Sequence, residues 1–126
     1  MRLMSFRLTT GQILGQSKTV TRRLGWTFLQ PEDLIQAVEK SQGLKKGEQV
    51  RRLAVLRVVS VRRERLGRML DEPAYGQREC EREGFPMDTP QDYVDLIRRT
   101  HGAVTNDTVI TRIEFEYVHD KLGGLR

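Results

Sequence analysis

Two stretches carry the clearest apolar rhythm. VRRLAVLRVVSVRRE, Val50 to Glu64, sets Leu53, Val55, Val59 and Val61 on one side of an extended backbone, with Ala54, Leu56 and Val58 on the other. Apolar residues on both faces predict a strand at the centre of a sheet or in a barrel wall. Arg57 interrupts the first face, as expected if that face opens onto a polar interior or groove. The second stretch, TNDTVITRIEFEYV, begins with a turn at Asn106-Asp107. It then alternates Val109, Thr111, Ile113, Phe115 and Tyr117 with Ile110, Arg112, Glu114 and Glu116, the period-two pattern of a half-buried strand.

Shorter signals fill the rest. LMSFRL, Leu3 to Leu8, reads as a strand. TTGQILGQ reads as one or two helical turns, started at Thr9 or Thr10 and ended by Gly15. The β-branched KTVTRR is extended. QPEDLIQAVEKSQG predicts a helix from Pro31 to Lys40: proline suits the first helical position, Glu32 and Asp33 suit the positive end of the dipole, and Gly43 lies just beyond. Glu72 to Glu83 predicts another, opened by Pro73 and closed by Gly84, with Gly76 as an unfavourable interior residue. In DTPQDYVDLIRR, Thr89 caps, Pro90 opens, and Asp92 completes a capping-box-like pattern, with Tyr93, Leu96 and Ile97 facing the core. The order is strand, short helix, strand, helix, long strand, two helices, strand. It predicts an α+β fold, a small curled sheet or barrel with helices packed on it. Residues 1–118 form a single domain in this reading, and 119–126 a flexible tail.

Composition narrows the class. The 126 residues suit one domain, and 37% hydrophobic against 31% charged residues describes a lean but folded chain. A net charge of +5 points to an anionic partner, nucleic acid first, or to a merely basic protein. Of the 22 basic residues 17 are arginine, whose planar fork suits phosphate and guanine edges. Cys80 is the lone cysteine, so no intrachain disulfide is expected and a reducing compartment fits. The N-terminal stretch is broken by Arg7 before it reaches signal-peptide length, and no segment approaches a membrane span. The expectation is a cytoplasmic protein with no membrane partner.

Conventional sites are missing from the sequence. His101, His119 and Cys80 show no zinc spacing, there is no phosphate-cradling glycine loop, and no cofactor is expected. What remains is SKTVTRRLGW, Ser17 to Trp26, and the carboxylates of ECEREGF. A threonine hydroxyl needs a base, and a lysine whose pKa is depressed by neighbouring cations such as Arg22 and Arg23 can supply one. A glutamate can orient the pair or shuttle a proton. The residues alone leave two readings open, a solvated basic strand and a site. In an ideal strand Lys18 and Thr21 point to opposite faces, so they share a site only if the backbone turns near Lys18, which Gly15 and Gln16 allow.

The chain resembles an ASCH domain of the PUA-like superfamily. The anchors are MSFR, then KTVTRR after a short helix, a glycine-containing turn before a long strand, EGFP, and a closing strand. The resemblance implies a PUA-like β-barrel with peripheral helices, a cleft beside the barrel, and an association with RNA, nucleosides or modified bases. One branch of small bacterial members removes the acyl group from acetylcytidine with a lysine, a threonine three residues later and a distant glutamate. Carried over, these are Lys18, Thr21 and Glu83, followed by Arg23 two residues after the threonine. Arg22, Arg23, Trp26, Arg57 and Arg63 are the candidate nucleic-acid or nucleoside contacts. The helix expected at Pro31–Lys40 is a departure from that branch, and with its basic turn it could cover or reshape the cleft. Three functions follow as expectations: a binding cleft for RNA, a nucleoside or a modified base; an amidohydrolase on acylated cytosine nucleosides; and a ribonuclease.

Overall fold

The computed structural model describes residues 1–119, so the expected tail lies outside the described residues apart from His119. Five strands, β1 (Arg2–Ser5), β2 (Val20–Arg23), β3 (Leu34–Val38), β4 (Arg52–Arg65) and β5 (Val109–Tyr117), form one sheet in the order β1-β3-β4-β5-β2. The β1–β3 pair is parallel and the other three pairs are antiparallel. The sheet curls into an open half-barrel with helices outside it. Its edges, β1 and β2, come close enough for Arg23 on β2 to donate from Nη2 to the Ser5 carbonyl at 2.7 Å.

The long central strand forms as its pattern predicts, with one irregularity. Val58 pairs with Phe115 and Ser60 with Glu114, so Val59 is the extra residue of a bulge and is 42% exposed. It therefore does not continue the face of Leu53 and Val55. The main core gathers Phe6, Ile13, Ile35, Leu56, Ile113 and Phe115, among others, from both ends of the chain. Each such side chain contributes roughly 1.5–3 kcal/mol by leaving water.

The segment expected to be a helix at Pro31–Lys40 is instead strand β3. Pro31 and Glu32 are the central residues of a turn in which the Asp33 amide donates to the Gln30 carbonyl at 3.1 Å. Glu32 has φ 79°, and the Asp33 carboxylate accepts from the Gln30 amide at 2.9 Å. A proline followed by a positive-φ residue is the signature of a type II turn. Proline and acidic residues suit that turn as well as a helix start, and sheet pairing decides between them. Ile35, Ala37 and Val38 are buried between β1 and β4, and Gln36 satisfies its amide by donating to the Ala37 and Ala54 carbonyls.

The helices α1 (Thr10–Leu14), α2 (Arg68–Asp71), α3 (Pro73–Arg82) and α4 (Pro90–His101) follow, with a 3-10 turn at Arg7–Thr9 before α1. The α4 capping box is present: the Asp92 amide donates to Thr89 Oγ1 at 3.1 Å and the Thr89 amide to Asp92 Oδ2 at 2.9 Å. Leu66, Met69, Cys80, Tyr93, Val94 and Val104 make a second core under α2, α3 and α4. Gly76 suits this packing because a Cβ there would lie 2.0 Å from the Met69 carbonyl oxygen. The residue that weakens α3 in isolation is the one that lets α2 lie against it.

Candidate functional site

The site is built where the end of α3 meets the segment entering β2. Gly84, at φ 95°, closes α3 in a Schellman motif: the Phe85 amide donates to the Cys80 carbonyl at 2.8 Å and the Gly84 amide to the Glu81 carbonyl at 3.0 Å. A Cβ at Gly84 would also meet Gln12 Cγ at 2.8 Å, and Gln12 Nε2 donates to the Gly84 carbonyl at 3.2 Å. The short helix α1 thus fixes the corner that presents Glu83.

Lys18 precedes β2, just after Gln16 at φ 60°, so the turn that the Lys18–Thr21 spacing requires is present. Lys18 Nζ donates to Glu83 Oε1 and to the Glu83 carbonyl oxygen, each at 2.7 Å. The other carboxylate oxygen of Glu83 accepts from Arg22 Nη1 at 3.0 Å. Thr21 Oγ1 accepts from Arg23 Nε at 3.1 Å. Lys18, Thr21, Arg22 and Glu83 are all buried. They line a cavity of about 240 Å³ with Arg23, while Phe6, Phe85, Leu96 and Ile97 give it an apolar wall.

A charge network supports the cavity. Glu79 and Glu83 are four apart and share a face at the end of α3. Arg22 and Arg112 stand opposite each other across β2 and β5, an arrangement that repels unless an anion intervenes. Glu79 intervenes: both arginines donate to its Oε1, and Arg112 Nη2 also reaches its Oε2 at 3.1 Å. Glu64 extends the network, accepting from Arg22 Nη2 at 3.3 Å and from the Tyr75 hydroxyl at 2.8 Å. Arg22 Nε is left without a partner among the described residues.

These neighbours set the protonation of the site. Burial, more than any neighbour, pushes the Lys18 pKa down; Glu83 opposes it, and Arg23 and Arg22 add to it. The expected cause, cationic neighbours, is real but secondary. Burial also disfavours the Arg22 charge, yet Glu83 and Glu79 outweigh it and hold the guanidinium firmly protonated. For Arg23 burial wins and the pKa falls. Burial works against the Glu79 charge, but Arg112 and Arg22 hold its carboxyl down to about 2. Tyr93, against the same carboxylate cluster, is pushed well above its usual value by burial and then by Glu83.

The structure brings together Lys18, Thr21, Glu83, Arg22 and Arg23. Trp26 does not line this cavity; it packs against the main core, its ring centroid 5.4 Å from that of Phe28. Arg57 lies outside the cavity, paired with Glu116 at 3.0 Å and Glu32 at 3.8 Å. Arg63 is exposed on β4 opposite Thr111, also away from the cavity. Glu79, one of the ECEREGF carboxylates, and Arg112, which the alternation of β5 sets beside Glu114 and Glu116, are both buried and were not among the expected site residues. The signal for Glu79 was its four-residue spacing from Glu83.

No family model matches the chain, and no curated protein does. Solved structures share its fold, three of them as follows. The hypothetical protein PH0355 superposes with a TM-score of 0.63 at 15% identity, over 93% of this chain and 97% of that one. EF3133 from Enterococcus faecalis V583, of family DUF984, gives 0.64 at 13% identity, over 93% and 75%. An ASCH domain from Lactobacillus crispatus JV V101 gives 0.62 at 11%, over 92% and 78%. No helix among the described residues is long and apolar enough to cross a membrane. The likenesses show the fold, a PUA-like α+β half-barrel with peripheral helices.

Proposed function

We propose that the cavity binds a nucleoside or modified base of RNA origin. The observation that carries this reading is the mixed lining, in which Phe6, Phe85, Leu96 and Ile97 share one cavity with buried Lys18, Thr21 and Glu83 and with half-buried Arg23. A heterocyclic base offers apolar faces and a hydrogen-bonding edge, and this lining answers both. Calorimetric titration with cytidine, acetylcytidine and short RNA tests it. Saturable binding of at least one, lost in Thr21→Val, is expected; no binding at low salt by any of them overturns the reading.

A second reading is favoured by one observation: a buried lysine with a lowered pKa shares the cavity with a threonine. In this reading the chain is an amidohydrolase on acylated cytosine nucleosides. Thr21 Oγ attacks the acyl carbonyl carbon and its proton passes to Lys18 Nζ. The C–N bond breaks as that proton moves to the exocyclic nitrogen, leaving an ester that water hydrolyses. Glu83 orients Lys18. In the free protein Lys18 donates to Glu83 and not to Thr21, so substrate binding must draw the lysine toward the hydroxyl, a tightening common in such sites. Incubation with acetylcytidine decides it: cytidine appears with the native chain and not with Thr21→Val.

A further inference from the structure

A second cavity of about 390 Å³ adjoins the first, lined by Leu3, Ser5, Arg7, Arg23, Trp26 and Lys40 together with Ser41 and Gln42. Ser5, Arg7 and Arg23 line both cavities and so form their common wall. The lining of the second is mainly polar and cationic, with no acidic residue in it.

Eight of the 16 arginines among the described residues have a carboxylate within ion-pair distance: Arg22, Arg51, Arg57, Arg62, Arg65, Arg68, Arg82 and Arg112. Arg7 and Arg23 have none among the described residues. Arg7 is exposed at the start of the 3-10 turn. Arg23 is held over the Phe6 ring at 4.7 Å, with Nε committed to Thr21 and Nη2 to the Ser5 carbonyl. That leaves the Nη1 edge of a rigid guanidinium without a partner among the described residues. Lys40 completes the triangle, loosely paired with Glu48 at 3.4 Å. The wall beyond them is fixed by Trp26, whose backbone takes φ 55° after Gly25 at φ 77° and is anchored where Thr111 Oγ1 donates to the Gly25 carbonyl. A tryptophan holds such a conformation only when its surroundings enforce it.

Resting on the nucleoside reading of the first cavity, we propose that the ligand is a nucleoside phosphate ester, its base in the first cavity and its phosphate at the common wall against Arg7 and Arg23. A planar guanidinium without a carboxylate matches phosphate oxygens with two N–H groups. The second cavity leads away from that point past Lys40 to Trp26. A free nucleotide ends at the arginines; a nucleotide within a strand continues into the second cavity and sets its neighbouring base beside the indole, where stacking adds affinity.

Trp26 is the chain's lone tryptophan, so its fluorescence reports the second cavity directly. Titrate the full chain with cytidine, cytidine 3′- and 5′-monophosphate, inorganic phosphate and a cytidine-containing trinucleotide, following calorimetry and fluorescence together. One monophosphate is expected to bind roughly tenfold or more tighter than cytidine, as charge-assisted hydrogen bonds imply. Arg7→Ala should erase most of that gain and spare cytidine binding; the exposed Arg78→Ala is the charge-matched control. A fluorescence change with the trinucleotide beyond that with the monophosphate identifies the strand as source; equal changes identify the free nucleotide. If cytidine binds and neither phosphate ester binds more tightly, this inference falls and the nucleoside reading stands. If inorganic phosphate binds in an Arg7-dependent way and no nucleoside does, the phosphate site stands and the nucleoside reading falls. Binding of none of the probes overturns both.

Discussion

Lys18 and Glu83, 65 residues apart in sequence, meet twice: Lys18 Nζ donates at 2.7 Å to the Glu83 carboxylate and at 2.7 Å to the Glu83 main-chain oxygen. The second contact ties the amine to the backbone at the Schellman corner of α3, so its position does not depend on the carboxylate rotamer alone. The other oxygen of that carboxylate holds Arg22. One buried carboxylate thus links two buried cations in the wall of the cavity.

Removing that anion should be severe. Glu83→Ala strands Lys18, which is 2% exposed, and takes from Arg22 one of its three carboxylates; it should cost about 3–5 kcal/mol. Glu83→Gln keeps the shape and one acceptor, and should cost less. Urea unfolding midpoints measure both; a Glu83→Ala protein as stable as the native chain would show that this pair does not hold the site together.

The pH dependence of any amidohydrolase activity follows from Lys18. The base must be neutral, so the rate should rise with pH through its folded pKa, which burial sets below the ordinary 10.5. Glu83 raises that pKa. Glu83→Gln should therefore move the rising limb to lower pH, whatever it does to the maximal rate. A rising limb that stays fixed would remove Lys18 from the role of base.

Glu79 should govern acid stability. Its carboxyl is held down from 4.5 to about 2, and a depressed acid contributes stability that is present above its unfolded pKa. The contribution, on the order of 3 kcal/mol, should be whole above pH 4.5 and drain away as the pH falls from there through 2. The difference in unfolding free energy between the native chain and Glu79→Gln should shrink over that window. A difference that stays constant would mean that the proton goes elsewhere.

Elements whose signals are local were legible in the sequence. The Thr89–Asp92 capping box lies within four consecutive residues and was read correctly, as was the long apolar run of β4, because burial on both faces of a strand leaves a pattern within the strand itself. The convergence of Lys18, Thr21 and Glu83 was expected only through the family resemblance, since nothing in the spacing of Thr21 and Glu83 links them. The ion network was not legible. Arg112 sits in a strand whose alternation assigns it to the solvent side, and only α3 packed over that side turns it into an interior residue. Strand β3 was lost for a related reason: Pro31, Glu32 and Asp33 suit its turn as well as a helix start, and the partners that decide between the two, β1 and β4, lie outside that segment.

Glu32 can be used to test that misread segment directly. It occupies the positive-φ position of the turn at φ 79°, is 83% exposed in its side chain, and its carboxylate pairs with Arg57 at 3.8 Å. A non-glycine residue in left-handed backbone carries a strain that glycine avoids, and the weak exposed ion pair offers little in return. Glu32→Gly should therefore stabilise the protein, by roughly 0.5–1 kcal/mol. In a helix the same change would destabilise by about that amount, since glycine is among the poorest helix formers. The sign of the shift in thermal midpoint separates the two structures. A lowered midpoint would argue for helix, and a raised one for the turn that delivers β3 into the sheet beside β1.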